Sequence, residues 1–485
     1  MRYRTVAPIL LAGLVAGASA PPASLAQSST PPAAPPVAAT PASELAERML
    51  KAAATSDEAF LAFQHEAAPQ AAGGDAALRL RQWLTTLQLH GVAEASATHA
   101  DLAAFDPNLE NWIWLDFDIT ATTPHTVVSF TVRPAGHLPP GVTPPPRLRP
   151  AALAAATRGH LEVAAKENRF SGAVLIARRG VPFLEAAYGL ADRDAKTPNS
   201  TRTQFRFGSM GKMFTAVSIM QLAQAGKLDL TAPIGRYLKD YPNADIATKV
   251  TIDNLFTHTG DTGDIFTPEF FARRLELRDP KDYVALFGSR PPRFAPGART
   301  EYSNYGFILL GRIVEAVSGQ SYDDYIASHI FAPARMTATG NQPETMHPPG
   351  LAVGYTDQKG QLVPDVDTLP WRGTAAGGGY STVGDLARFA DALMADRLLD
   401  AAHTKLLTTG GFTGLDGKLP RYDFGAQAEN GRRYFGHNGG APGMNGELRI
   451  FPAELGHAAY TIVVLANRDP PAASRTANFI SARLP

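Results

Sequence analysis

Ser209-Met210-Gly211-Lys212 heads an apolar stretch in which Met213, Phe214, Val217, Met220 and Leu222 recur at helical spacing, with Gly226 as the stop. Residues three apart share a helix face, so the lysine amine falls within reach of the serine hydroxyl. A serine hydroxyl is a weak nucleophile until a neighbouring base takes its proton. Lysine can be that base where burial or the positive end of a helix disfavours its charged form. The same helix end aims backbone N–H groups at an oxyanion developing beside the serine. The S-x-x-K pattern is short and common, yet Lys212 is the only lysine of this chain with a serine three positions before it.

Two further segments bear chemistry. Tyr302-Ser303-Asn304 follows Gly297 in a loop and precedes an apolar helix through Phe307, Leu310 and Ile313. A tyrosine beside a cation loses its proton more easily and can relay one, and an asparagine offers both a donor and an acceptor. Tyr241-Pro242-Asn243 has the same spacing, but its proline and its place after an amphipathic helix read as a structural turn, so Tyr302 is preferred. His437-Asn438-Gly439-Gly440 lies on a strand running into glycines, where backbone can approach a substrate closely. Taken alone, it reads first as a satisfied strand-end histidine.

In this order the three segments resemble the serine β-lactamase-like family, particularly the class C enzymes and their esterase and D-peptidase relatives. Tyr188-Gly189-Leu190-Ala191-Asp192, Thr257-His258-Thr259-Gly260 and Gly377-Gly378-Gly379-Tyr380 leading to Asp385 are similar too. No Gly-Lys-Ser/Thr follows those three glycines, so they are not read as a nucleotide-cradling loop. The resemblance covers roughly residues 155–470. It implies a two-lobed fold, one lobe an antiparallel sheet flanked by helices and the other helical, with the site between them. It also implies an acylated Ser209, with Lys212 and Tyr302 exchanging its proton, and an oxyanion hole from the backbone N–H groups of Ser209 and Gly440. His437 and Gly439 would bind substrate, as would Asn304, which would hold the substrate amide or the lysine. The chain departs from the pattern at His437, where β-lactamases and cell-wall carboxypeptidases of this type carry a lysine that anchors the substrate carboxylate. Esterase or peptidase activity is therefore expected ahead of β-lactamase activity.

The remaining sequence sets the frame. Its 485 residues allow two to four domains at roughly 100–200 residues each. Hydrophobic residues make up 45% and charged ones 19%, enough for a large core. Forty-five basic residues balance 45 acidic ones, leaving no excess to neutralise phosphates, so nucleic acid is not an expected partner. The chain has no cysteine, which removes disulfides, zinc-thiolate sites, iron–sulfur clusters and a cysteine nucleophile. His65-Glu66 runs into Pro69 rather than an H-E-x-x-H helix, and neither a metal nor a cofactor is expected.

Arg2 and Arg4, the apolar run Val6–Ala20 and Ser24-Leu25-Ala26 before Gln27 read as a signal peptide over 1–26, so a secreted or periplasmic protein without a lasting membrane span is expected. A Pro/Ala-rich linker is expected over 27–42 and another Pro-rich one over 134–150. Between them, 43–133 reads as a small α+β domain. Thr55 and Glu58 have capping-box spacing, Gly91 closes a helical stretch through Trp83, Leu84 and Leu87, and Ile113–Ile119 and Val128–Val132 alternate as strands. Trp112 and Trp114 are expected to pack against a helix. Residues 151–485 form the β-lactamase-like domain: a helix over 151–168, strands at 172–177 and 182–188, a helix-rich middle, strands at 434–437, 446–451 and 459–466, and a helix from Ala472. Strands at both ends with helices between suggest one antiparallel sheet, giving an α+β fold overall. The expected protein is an exported serine hydrolase acting on a small-molecule or peptide ester or amide. Its alternatives are a β-lactamase or penicillin-binding carboxypeptidase, and a catalytically silent protein that binds peptidoglycan peptides or β-lactams.

Overall fold

The computed structural model describes residues 39–69, 74–134, 138–346, 348–358, 360–365, 368–410, 422, 424, 427–429, 432–454 and 456–485. The expected signal peptide, linker residues 27–38 and residues 135–137 of the second linker lie outside them. Contacts divide the chain into two compact units. One takes residues up to Leu148 with Ala428–Arg432 and Asn478–Leu484, and the other takes Arg149–Gln427 and Arg433–Ala477.

In the first unit, helix α1 (Pro41–Thr55) begins two residues ahead of the expected domain start because Thr40 caps it. The Thr40 hydroxyl accepts from Ser43 N at 3.2 Å, the Ser43 hydroxyl accepts from Thr40 N at 2.9 Å, and Pro41 occupies the first turn. Ser56, not Thr55, caps α2 (Asp57–Ala67), accepting from Ala59 N at 3.1 Å, while the Thr55 hydroxyl bonds back to Lys51 O as α1 ends. Helix α3 (Asp75–Leu84) stops well before Gly91. That glycine instead sits inside strand β1 (Gln88–Ala95) at φ +142°, beside a register shift, where a bulge needs its freedom. Strands β1, β2 (His99–Asp106), β3 (Asn111–Ile119) and β4 (Val127–Pro134) form an antiparallel meander in chain order. Leu102, Ile113, Leu115, Phe117 and Phe130 share a core with Leu45, Met49, Phe60, Phe63 and Trp83 of the helices. Trp112 and Trp114 point away from those three helices. They lie with Ala93 and Ala103 on the other sheet face, with His90 and Phe105 edge-on to Trp112.

The second unit begins with α4 (Pro150–Lys166), followed by the hairpin β5 (Gly172–Arg178) and β6 (Val181–Tyr188). The late strands are β7 (Gln427–Glu429), β8 (Arg432–Ala441), β9 (Met444–Phe451) and β10 (Tyr460–Ala466), followed by α9 (Ala472–Ser481), whose last residues from Asn478 belong to the first unit. The six-stranded sheet runs β7-β8-β9-β10-β5-β6, so the last strand pairs with the first, Ala466 opposite Gly172. This is the sheet built from both ends of the segment. Leu175, Leu448, Ile450, Val463 and Leu465 join the core of the helical side, and the alternate residues Val174, Ile176, Ile462 and Val464 are fully buried as well. Both faces are therefore covered, which is why β5 and β10 read as continuous apolar runs.

Helix α5 (Lys212–Gln224) crosses that core and is buried at every position from Lys212 to Met220. Its apolar residues therefore lie inside the core with their neighbours buried too, and only the last turn, at Gln224, reaches solvent. Helix α7 (Asn304–Ser318) packs beside α5; the Ser303 hydroxyl caps it from 2.9 Å, and Gly319 closes it at φ +75°. Helix α8 (Val383–Met394) lies against β5 and β10 and is capped by Thr382, which accepts from Asp385 N at 3.1 Å. Among the described residues no helix is long and apolar enough to cross a membrane.

Short helix α6 (Ile252–Phe256) carries a titratable group inside this core. Burial pushes the Asp253 carboxyl up to about 6, opposed by a 2.9 Å bond donated by Tyr422. The folded state therefore holds the proton more tightly than the unfolded chain, whose aspartates titrate near 3.9. The stability this contributes is complete below pH 4 and is lost as pH rises through 6, on the order of 2–3 kcal/mol by pH 7. Asp253→Asn should raise the melting temperature at pH 7.5 and leave it little changed at pH 4.5. Parallel melting curves for both proteins across that range would remove Asp253 as the cause.

Candidate active site

The proposed nucleophile sits on a tight turn. Residues Gly208–Gly211 form one 3₁₀ turn leading into α5, which leaves Ser209 partly exposed and buries Lys212 completely at the first helical position. Two glycine segments press on this turn. A Cβ on Gly377 would come within 2.5 Å of Gly208 O, and one on Gly439 would come within 1.9 Å of Phe207 O. Neither position admits a side chain. Gly378 N–H also donates to Gly208 O at 3.0 Å. The glycine runs thus serve close backbone packing around Ser209.

Lys212 Nζ donates to Asn304 Oδ1 at 2.8 Å and to the Ala376 carbonyl at 2.6 Å. It lies 4.7 Å from the centre of the Tyr302 ring and 5.4 Å from that of Phe307. Asn304 is itself oriented, because Asp264 accepts from its backbone N at 3.0 Å and from Nδ2 at 3.3 Å. With the amide nitrogen facing a carboxylate, the amide oxygen is left for the lysine. The Tyr302 hydroxyl donates to Ser209 Oγ at 3.0 Å. Ser209, Lys212, Tyr302 and Asn304 thus converge from two helix starts, with Tyr302 bonded to Ser209, Lys212 bonded to Asn304, and the lysine against the tyrosine ring.

The tyrosine loop is tied to the Thr257–Gly260 segment. Gly297 N bonds to Thr259 O at 2.9 Å and Glu301 N to His258 O at 2.8 Å. Ser303 N donates to His258 Nδ1 at 3.1 Å, and the His258 and Tyr302 rings lie 4.4 Å apart. Tyr241 is elsewhere, buried in the core with its hydroxyl 3.3 Å from that of Tyr305, and Asn243 caps the helix Ala244–Lys249. The second Tyr-x-Asn is structural.

On the sheet side, Ala441 and Met444 flank the two-residue turn Pro442-Gly443, and Gly440 pairs with Asn445 one step back. In such a hairpin the flanking pair exchanges both ladder bonds, and the next pair turns its N–H and C=O outward. Gly440 N–H therefore points off the sheet edge, toward the Gly208–Ser209 turn: a Cβ on Gly208 would lie 3.0 Å from Gly440 N. Asn445 braces this edge, donating to Gly439 O at 2.8 Å while accepting from Ala473 N at 2.7 Å. His437 is partly exposed on β8, its Nδ1 against the carbonyl of Asn438. Asp264, Ala376 and Asn445 carry no motif signal, and only His258 fell in a segment that drew attention.

This arrangement can hold an ester or amide carbonyl between Ser209 and the backbone donors. Among the described residues no group of three His, Asp or Glu side chains is placed to hold a metal ion. The sequence profile of the Beta-lactamase family matches residues 153–484. The putative penicillin-binding protein PbpX of Bacillus subtilis is 32% identical over 256 residues, covering 50% of this chain and 60% of PbpX. Esterase EstB of Burkholderia gladioli is 31% identical over 221 residues, covering 43% of this chain and 56% of EstB. The chain thus spans less than two thirds of either relative. The crystal structure of a penicillin-binding protein from Bacillus halodurans superimposes with a TM-score of 0.56 at 31% identity, covering 66% of this chain and 99% of that one.

Proposed function

The chain belongs to the β-lactamase family of serine hydrolases, and from that premise we propose that it is an exported enzyme cleaving esters or amides through an acyl-enzyme on Ser209. The observation that carries this reading is the 3.0 Å bond between the Tyr302 hydroxyl and Ser209 Oγ, with Lys212 against the same tyrosine ring. With the Tyr302–Lys212 pair one proton short of tyrosine plus ammonium, the Ser209 proton passes to that pair as Oγ bonds to the substrate carbonyl carbon. The carbonyl oxygen takes up negative charge beside the N–H groups of Ser209 and Gly440. Collapse of the tetrahedral intermediate breaks the bond to the leaving alcohol or amine, which receives that proton. Water then attacks the acyl-enzyme by the same route in reverse, releasing the acid and restoring Ser209. Asn304 holds the lysine, and Gly439 lets the strand approach. All these roles fall within 151–485, which we read as the catalytic domain, and the leader-like segment 1–26 supports export.

His437 favours neutral esters over carboxylate-bearing substrates. A fixed ammonium at this position would give a carboxylate a charge-assisted bond of about 1.5–3 kcal/mol, and His437 puts no ammonium there. A second reading, action on β-lactams or cell-wall peptides, is favoured by the similarity to proteins named penicillin-binding. His437→Lys separates the two. About 1.4 kcal/mol is tenfold in kcat/KM, so the variant should shift the nitrocefin to p-nitrophenyl acetate ratio about tenfold toward nitrocefin. A wild type that already prefers nitrocefin would decide for the second reading.

A further inference from the structure

We propose that His258 is the positioning residue that sets the reach of Tyr302 toward Ser209, an inference that rests on the proton-relay role given to Tyr302 above. One residue holds three in succession. Its carbonyl accepts from Glu301 N at 2.8 Å, its ring lies 4.4 Å from the Tyr302 ring at a 36° tilt, and its Nδ1 accepts from Ser303 N at 3.1 Å. The Tyr302 backbone is thus pinned on both sides while its ring is covered. Ser303 is the cap residue of α7, so its own N–H lies outside the helix ladder and needs a partner from elsewhere. His258 can supply one because its backbone takes the left-handed conformation, φ +56°, a region in which histidine and asparagine are tolerated better than most side chains. Since Nδ1 accepts, the ring proton belongs on Nε2.

No simpler side chain combines these contacts. Phenylalanine would cover the tyrosine but leave Ser303 N–H without its acceptor. Asparagine would accept that bond and suit the backbone, yet leave the tyrosine ring uncovered. Proton transfer tolerates little displacement, and a shift of about 1 Å can cost 10²-fold in rate. The Tyr302 hydroxyl has no such latitude at 3.0 Å from Oγ.

The test uses the full-length chain with p-nitrophenyl acetate, comparing His258→Asn, His258→Phe and Tyr302→Phe. Both histidine variants should keep the wild-type circular dichroism, lose about tenfold or more in kcat, and hold KM within about twofold. Their rate of reaction with a small fluorophosphonate should fall in parallel, because that reaction needs an activated serine and little substrate binding. A folded His258 variant with wild-type kcat and labelling rate overturns the proposal, as does one whose loss lies in KM alone. If Tyr302→Phe itself keeps wild-type turnover, the relay assignment fails first and this inference falls with it. If Tyr302→Phe is crippled while both His258 variants are normal, the relay stands and only the positioning role is refuted.

Discussion

Ser209→Ala is expected to lower p-nitrophenyl acetate turnover by about 10⁴-fold or more, the scale seen when an activated serine nucleophile is removed. Without Oγ no acyl-enzyme forms, and what remains is the catalysis that oriented backbone donors and binding give to water alone. The fold should survive. Ser209 is partly exposed on a 3₁₀ turn whose geometry comes from backbone packing against Gly377 and Gly439 rather than from its hydroxyl. The bond lost, to the partly exposed Tyr302 hydroxyl, can be replaced by water, so stability should change by less than about 1 kcal/mol. Melting curves recorded beside the kinetics separate lost chemistry from lost structure. Turnover within about tenfold of wild type would place the nucleophile elsewhere.

Tyr302→Phe and Lys212→Ala should each cut turnover by about 10²-fold or more, the upper part of the range for general acid–base groups. The two differ in what else they disturb. Tyr302→Phe keeps the ring that faces His258 and Lys212 and removes only the hydroxyl. Lys212→Ala empties a completely buried position and leaves Asn304 Oδ1 and Ala376 O without their donor. It should therefore also cost stability, roughly 2–5 kcal/mol for the cavity and the lost bonds together. Groups passing one proton act as a unit, so the double variant should be little slower than the worse single one. Losses that multiply would mean that the two residues work independently. Near-normal turnover in Tyr302→Phe would leave Ser209 without its proton relay, and the bond to Oγ would then be structural.

The candidate site was more legible than its support. Ser209 and Lys212 stand one helical turn apart and Tyr302 precedes a readable helix start, so spacing makes them candidates, and the order of the three segments singles them out. The sheet was legible from local pattern too, since β5 and β10 are short apolar runs, β9 alternates Leu448 and Ile450 with Glu447 and Arg449, and turns bound them. What spacing could not carry is anything that depends on three dimensions. The burial of α5 at every position from Lys212 to Met220 follows from its place between sheet and helices, which its own spacing does not reveal. Asp264 is 40 residues from the asparagine it orients and His258 is 45 from Ser303, distances at which no pattern links a pair. Errors in the first unit were local. Ser56 outcompeted Thr55 as a cap by one residue, and Gly91 served a bulge rather than a helix end, because glycine suits either use.

The most direct test of the account is the mass of the full-length protein before and after reaction with a fluorophosphonate, followed by peptide mapping. One adduct per chain is expected, carried by the peptide that contains Ser209 and absent from Ser209→Ala. An adduct that persists in that variant, or that maps to any other residue, would contradict an acyl-enzyme on Ser209.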